Sequence, residues 1–195
     1  KLEPTRDPIA FLAFVSFFPQ LVAGPIERAT HLLPQFQKAR VFDYSKAVDG
    51  LKQILWGLFK KMVIADNCGQ FADLIFSQSE SYHGSTLLLG AFFFAMQIYG
   101  DFSGYSDMAV GLSKLFGFDL MQNFSFPYFS RSIAEFWRRW HISLSTWFKD
   151  YVYIPLGGRY HNSWRNTLIT FSLSGIWHGA NFTYLVWGSL NGLLV

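Results

Sequence analysis

Two histidines stand where acid–base chemistry has room to occur. His178 sits in SGIWHGANF, inside a run from Asn166 to Val195 that holds no Asp, Glu, Lys or Arg. On a continuous helix its neighbours are Ser174 and Gly175 one turn before, and Asn181 and Phe182 one turn after. Small side chains beside an imidazole leave space for a backbone or a substrate. The glycines of Gly175-x-x-x-Gly179 and Gly188-x-x-x-Gly192 also allow two helices to pack closely, so packing alone accounts for them. It does not account for the imidazole. Ionisable groups inside a membrane are costly, face interior cavities and mark functional sites by default. A histidine with an ordinary pKa near ~6.5 can take a proton from a hydroxyl and return it to a leaving group.

His141 lies in SRSIAEFWRRWHISLSTWFKDYVYIPLGG, residues 130–158. Ser132-x-x-Glu135 is a capping-box pattern, and Pro155-Leu-Gly-Gly supplies a stop. Spacing in between predicts one helix with Trp137, Trp140, His141, Leu144, Trp147, Phe148 and Tyr151 on one face. Arg139, Ser143, Thr146 and Asp150 fall on the other. Tryptophan and tyrosine favour the membrane–water boundary, so this helix is expected there. Spacing alone leaves His141 equally an interfacial side chain bonded to a carbonyl or a chemical group. Glu135 is expected to cap the helix and pair with Arg138 or Arg139, while the arginines meet headgroups or a neighbouring helix. Asp101 and Asp107, in GDFSGYSDMAVG, are expected to cap a helix or orient a buried group, with Gly100 and Gly104 marking irregular backbone.

Several chemistries have no support in the sequence. No G-x-S-x-G elbow and no H-E-x-x-H motif occurs. His31, His83 and His161 fall in polar connectors and are expected to be solvated. His141 and His178 would need further ligands to hold a metal, so none is expected. Cys68, the single cysteine, cannot form an intrachain disulfide. The net charge is +3, with basic residues lying between apolar runs. That distribution suits lipid headgroups rather than the basic stripe of a nucleic-acid binder.

The elements that must position these residues read as membrane helices. Of 195 residues, 51% are hydrophobic and 15% charged, against about 25% charged in soluble domains. Pro8–Ile26, Ser81–Gly100 and Asn166–Val195 carry no Asp, Glu, Lys or Arg. Each approaches or exceeds the ~20 residues that cross a hydrocarbon core. Pro8–Gly24 reads as a membrane segment, Glu27–Ser45 as a surface stretch and Ala47–Ala65 as an amphipathic helix whose Lys60 and Lys61 snorkel. Gln70–His83 reads as a polar connector, and Gly84–Tyr99 as the plainest span. Arg28–Lys61 and Lys114–Arg165 each hold seven basic residues. A single crossing between them would put both groups on opposite sides, against the positive-inside rule. Either a further segment crosses or enters, with Ala47–Ala65 and Tyr105–Met121 as candidates, or the rule is violated here. The chain opens on Lys1 and closes in an apolar run, so 1–195 is read as one membrane-domain fragment with helices missing at one or both ends.

Four blocks carry a family resemblance: FFPQLVAGPIER, QIYGDFSGYSDMAVG, NFSFPYFSRSIAEFWRRWHISLSTWFKDYVYIPLGG and SGIWHGANFTYLVWG. In order, they resemble signature blocks of the membrane-bound O-acyltransferase family, and within it the bacterial alginate O-acetyltransferase branch. The resemblance implies an all-α, polytopic membrane protein with spanning, re-entrant and interfacial helices around a tunnel, in the bacterial inner membrane. It implies His178 as the catalytic histidine of the W-H-G block and His141 as a second catalytic histidine. Trp177, Asn181, Ser174 and Asp101 are the accompanying candidates for substrate binding. The implied activity transfers an acetyl group from a cytoplasmic thioester, acetyl-CoA by default, to a hydroxyl of an extracytoplasmic polysaccharide such as alginate. Membrane lipid and periplasmic or membrane partner proteins are the implied company, with no bound cofactor and no nucleic acid. One departure is a short GGRYHNSWRN loop where relatives often have a longer, more basic one. Two other classes fit the histidines taken alone: a transporter or channel with a histidine proton relay, and a haem protein with His141 and His178 as axial ligands.

Overall fold

The computed structural model describes residues 6–195, and every regular element among them is helical. The chain divides after Met121 into two compact units.

The first unit opens with α1 (Pro8–Val15), where Asp7 Oδ1 accepts the N–H groups of Ile9 and Ala10 at 2.9 and 3.1 Å. Pro8 has no N–H to leave unsatisfied at that position. The expected membrane segment Pro8–Gly24 is broken: α1 has eight residues and only a 3-10 turn, Phe18–Gln20, follows. About 12 Å of helix cannot cross a core of ~30 Å. Phe17, Phe36 of α2 (Ala29–Gln37) and Phe118 pack with ring centroids 4.6 to 5.5 Å apart, beside buried Leu32. His31 is solvent-exposed as expected, but on a helix rather than in a loop. It sits on α2 with Nδ1 2.7 Å from a carboxylate oxygen of buried Glu27, whose other oxygen accepts the N–H of Met121.

α3 (Tyr44–Phe59) runs without interruption through a π-helical stretch, Lys60–Ala65, into α4 (Asp66–Ser77). The polar connector expected at Gln70–His83 is therefore helix as far as Ser77. Its apolar positions decide this: Ala72 and Ile75 are buried, and Ile75 fills the notch left by Gly90. α5 (Gly84–Leu115) runs antiparallel to this path for 32 residues. Among the described residues it is the one helix long and apolar enough to cross a membrane. Tyr105–Met121 is thus no separate segment, since α5 continues to Leu115.

Four glycines set the α3–α5 distance. A Cβ on Gly57 would stand 2.6 Å from the Gly104 carbonyl, and one on Gly111 2.5 Å from the Gly50 carbonyl. The irregular backbone expected at Gly100 and Gly104 lies instead in the facing chain. α5 is regular there, and a Cβ on Gly100 would sit 3.1 Å from the Lys60 carbonyl, inside the widened π turn. Asp101 and Asp107 accordingly cap nothing. Lys61 bridges Asp66 and Asp101, each at 2.8 Å. Lys60 pairs with Asp107 and donates to Ser103 Oγ at 3.0 Å, while Gln53 donates to Asp107 at 3.1 Å. Lys60, expected to snorkel, is only 7% exposed. At the other end of the hairpin, Lys46 pairs with Asp119 at 2.8 Å and Lys114 with Asp49. The start of α3 and the end of α5 therefore share one end of the unit.

The second unit contains a 3-10 turn (Pro127–Phe129), α6 (Ile133–Arg139), α7 (Ile142–Phe148), a π stretch (Lys149–Tyr153), α8 (Ser163–His178) and α9 (Phe182–Leu194). The helix expected through residues 130–158 breaks at Trp140–His141, so its aromatic stripe is not one continuous face. The Asn166–Val195 run is a helical hairpin. A Cβ on Gly175 would meet the Tyr184 carbonyl at 2.2 Å, and one on Gly188 the Phe171 carbonyl at 2.4 Å, as close packing requires.

Candidate active site

The capping box forms at the start of α6. Ser132 Oγ accepts the N–H of Glu135 at 3.1 Å, while Glu135 accepts the N–H of Arg131 at 2.8 Å and Arg139 Nη2 at 2.6 Å. Of the two expected arginine partners, Arg139 is the one engaged. The Arg131 N–H, followed by the Arg139 guanidinium, holds the Glu135 carboxyl below its ordinary range.

One turn later the chain reverses its local geometry. His141 adopts a left-handed conformation, φ 45°, in front of α7. For a residue with a Cβ this costs roughly 1 to 3 kcal/mol and needs surroundings that enforce it. Asn123 supplies them. Its carbonyl accepts the N–H of Ile142 at 2.9 Å, and its side-chain oxygen accepts the N–H and Oγ of Ser143 at 3.2 and 2.9 Å. The His141 carbonyl then receives the N–H of Ser145 at 2.9 Å. The imidazole is left buried at the head of α7, 8% exposed. Desolvation favours the neutral form of such a ring.

His178 is the last residue of α8, not a mid-helix residue. The chain extends through Gly179, and Asn181 starts α9 as its cap, accepting the N–H and Oγ1 of Thr183 at 3.2 and 2.8 Å. Asn181 is therefore beyond the turn, while Ser174 remains one turn before His178. The imidazole meets Trp187 edge to face at 5.5 Å and Trp177 at 5.3 Å, with Tyr184 at 6.3 Å. Trp187 in turn meets Trp137 of α6 at 5.7 Å. Buried Trp137 Nε1 has no hydrogen-bond partner among the described residues.

Through the Trp137–Trp187 contact, α6, whose end leads into His141, lies beside the hairpin that holds His178. At the opposite end of α8, Asn166 donates to the Gly158 carbonyl at 3.0 Å. The stretch from α6 to Gly158 therefore returns alongside α8. Asp101 belongs to the first unit, in its ion pair with Lys61. Trp137, Trp187 and Tyr184 are the site residues missed by sequence reasoning. Their signal was the glycine pairing, because joining Gly175 to Gly188 carries Trp187 beside His178. No three His, Cys, Asp or Glu side chains converge as a metal site among the described residues.

The arrangement offers one buried imidazole, a second at a helix end open to an approaching group, an aromatic wall and a spare indole N–H. It suits proton transfer to and from a group bound against the wall. A model of the membrane-bound O-acyltransferase family matches residues 5–195. The chain is 48% identical over 192 residues to a probable alginate O-acetylase of Pseudomonas putida, covering 97% of this chain and 39% of that protein. It is 43% identical over 188 residues to a peptidoglycan O-acetyltransferase of Helicobacter pylori, covering 94% and 36%. A teichoic acid D-alanyltransferase of Bacillus subtilis is 31% identical over 198 residues, covering 94% and 50%. The chain thus spans half or less of the length of each of these relatives.

Proposed function

The chain belongs to the membrane-bound O-acyltransferase family, and from that premise we propose that its protein transfers an acetyl group from a cytoplasmic thioester to hydroxyls of an extracytoplasmic polysaccharide. The observation that carries this is the His178 imidazole set against Trp187, which in turn meets Trp137 of the helix that leads into His141. Acetyl transfer, rather than transfer of D-alanine, is favoured by the greater identity to the two relatives named for acetylation. An alginate-like polymer is the acceptor the P. putida relative suggests, and acetyl-CoA is the simplest donor.

His178 acts as general base. It takes the proton of the acceptor hydroxyl as the oxygen attacks the thioester carbonyl, then returns it to the departing sulfur when the C–S bond breaks. His141, neutral, donates a ring N–H towards the carbonyl oxygen on which negative charge develops. An aromatic lining excludes water that would otherwise hydrolyse the thioester.

α5 crosses the inner membrane, the short α1 enters it, and α8 carries His178 inward. Thirteen residues separate Arg165 from His178, about 20 Å of helix. Arg165 at the headgroup boundary would therefore place the imidazole within the hydrocarbon region, reached by donor and acceptor through a tunnel. Residues 130–158 run between that boundary and the site, and extracytoplasmic partner proteins receive the acetylated polymer.

The test is polysaccharide acetylation in cells complemented with the full-length protein carrying His178→Ala or His141→Asn. His178→Ala should abolish acetylation at normal membrane abundance, and near wild-type acetylation would overturn the assignment. Asparagine tolerates left-handed backbone, so His141→Asn tests the imidazole apart from the turn.

A further inference from the structure

At the shared end of α3 and α5 lies a cleft of about 750 Å³ between the end of α2, the start of α3 and the residues after α5. Four cations and the carboxylates of Asp43 and Asp119 line it, and the cations are not equally compensated. Lys46 has Asp119, and Lys114 has Asp49. Lys38 and Arg40 have no carboxylate partner among the described residues. Arg40 is nevertheless held in place. Its guanidinium lies 4.6 Å from the Phe118 ring centroid, and Nη1 donates to the Gln35 carbonyl at 3.3 Å. Its stem rests against Gly117, where a Cβ would approach Cδ to 3.3 Å in a left-handed turn. Gln35 fixes that turn to α2, donating to the Asp119 carbonyl at 3.0 Å and accepting the Asp119 N–H at 2.8 Å.

The apolar surroundings indicate which anion fits. Val41, Phe42 and Tyr44, next in the chain, are 87%, 75% and 75% exposed. α5 has 32 residues, about 48 Å of helix against a ~30 Å core, so one or both of its ends must emerge among headgroups. The Leu115 end, with Lys114 and the shared basic cluster, is the end suited to an anionic leaflet.

We propose that this cleft binds the phosphate of an anionic phospholipid headgroup through Lys38 and Arg40, with Val41, Phe42 and Tyr44 against the acyl chains. The site rests on α5 crossing the membrane and not on the chemistry assigned to His178.

The test uses the full-length protein in nanodiscs of phosphatidylcholine containing phosphatidylglycerol, with retained lipid counted by native mass spectrometry after release. Wild type should retain phosphatidylglycerol. Lys38→Gln/Arg40→Gln should lower retention by about thirtyfold, the loss of two cations near an anionic surface. Lys38→Arg/Arg40→Lys, which keeps the charge, should restore most of it and separates binding from folding. Lys149→Gln/Arg159→Gln removes equal charge elsewhere and should change retention little. Equal retention in both glutamine variants would overturn the proposal. So would release of the lipid by millimolar inorganic phosphate, which would assign the cleft to soluble phosphates instead.

Discussion

The His178 imidazole stands perpendicular to the Trp187 indole, with centroids 5.5 Å apart and planes at 90°. The two residues come from opposite arms of the α8–α9 hairpin, and Gly175 and Gly188 bring those arms together. Orientation of the proposed base is therefore a property of helix packing.

Trp187→Ala removes the wall against which His178 is set. Acetylation should fall on the order of a hundredfold, since a displacement near 1 Å is enough for that loss. Trp187→Phe keeps an edge-to-face partner and should lose far less. Acetyl content of the polysaccharide, normalised to protein in the membrane, distinguishes the two.

Trp137→Phe should move stability and activity in opposite directions. Its buried indole N–H lacks a partner among the described residues, and such a donor costs about 1 to 3 kcal/mol. Phenylalanine removes that cost, so the melting temperature of the detergent-solubilised protein should hold or rise. Transfer should weaken if the N–H serves the bound acyl group. A fall in both quantities would mean the indole is only packing.

Gly188→Ala would set a Cβ 2.4 Å from a backbone carbonyl that cannot swing away. A loss of about 1 to 3 kcal/mol is expected from the forced separation. Gly84→Ala is the matched control, because a Cβ there meets nothing within 4 Å. Thermal unfolding of the two variants should differ clearly.

Lys60→Met should destabilise by about 3 to 5 kcal/mol, because it leaves the Asp107 carboxylate without its cation. Lys60→Met combined with Asp107→Leu should recover most of that loss. Unfolding of both variants in one detergent measures the coupling.

The local chemistry of the site was legible in the sequence, and its geometry was only partly so. The Ser132–Glu135 cap, the Glu135–Arg139 pair and the close-packing glycines follow from spacing within a few residues. The break at Trp140–His141 does not, because the aromatic stripe continues across it in phase with a helix. What breaks the helix is Asn123, eighteen residues upstream of His141, through bonds that no local pattern announces. Likewise the polarity of Gln70–His83 suggests a connector, whereas a few buried positions, Ala72 and Ile75 among them, suffice to keep it helical against α5 as far as Ser77. The π stretch at Lys60–Ala65 answers to glycines on a helix some forty residues away.

The glycine pairs of α3 and α5 carry an ambiguity that the ion pair beside them resolves. Gly50 faces Gly111 and Gly57 faces Gly104, so the notches repeat every seven residues on both helices. Sliding one helix by two turns, about 10 Å, would seat Gly57 against Gly111 and still leave one matched pair. Notches alone thus allow several neighbouring alignments, as equal teeth do on a rack. Lys60 and Asp107 meet in only one of them. Charge buried at this depth works as a key to a single alignment, and its value lies in the assemblies it forbids.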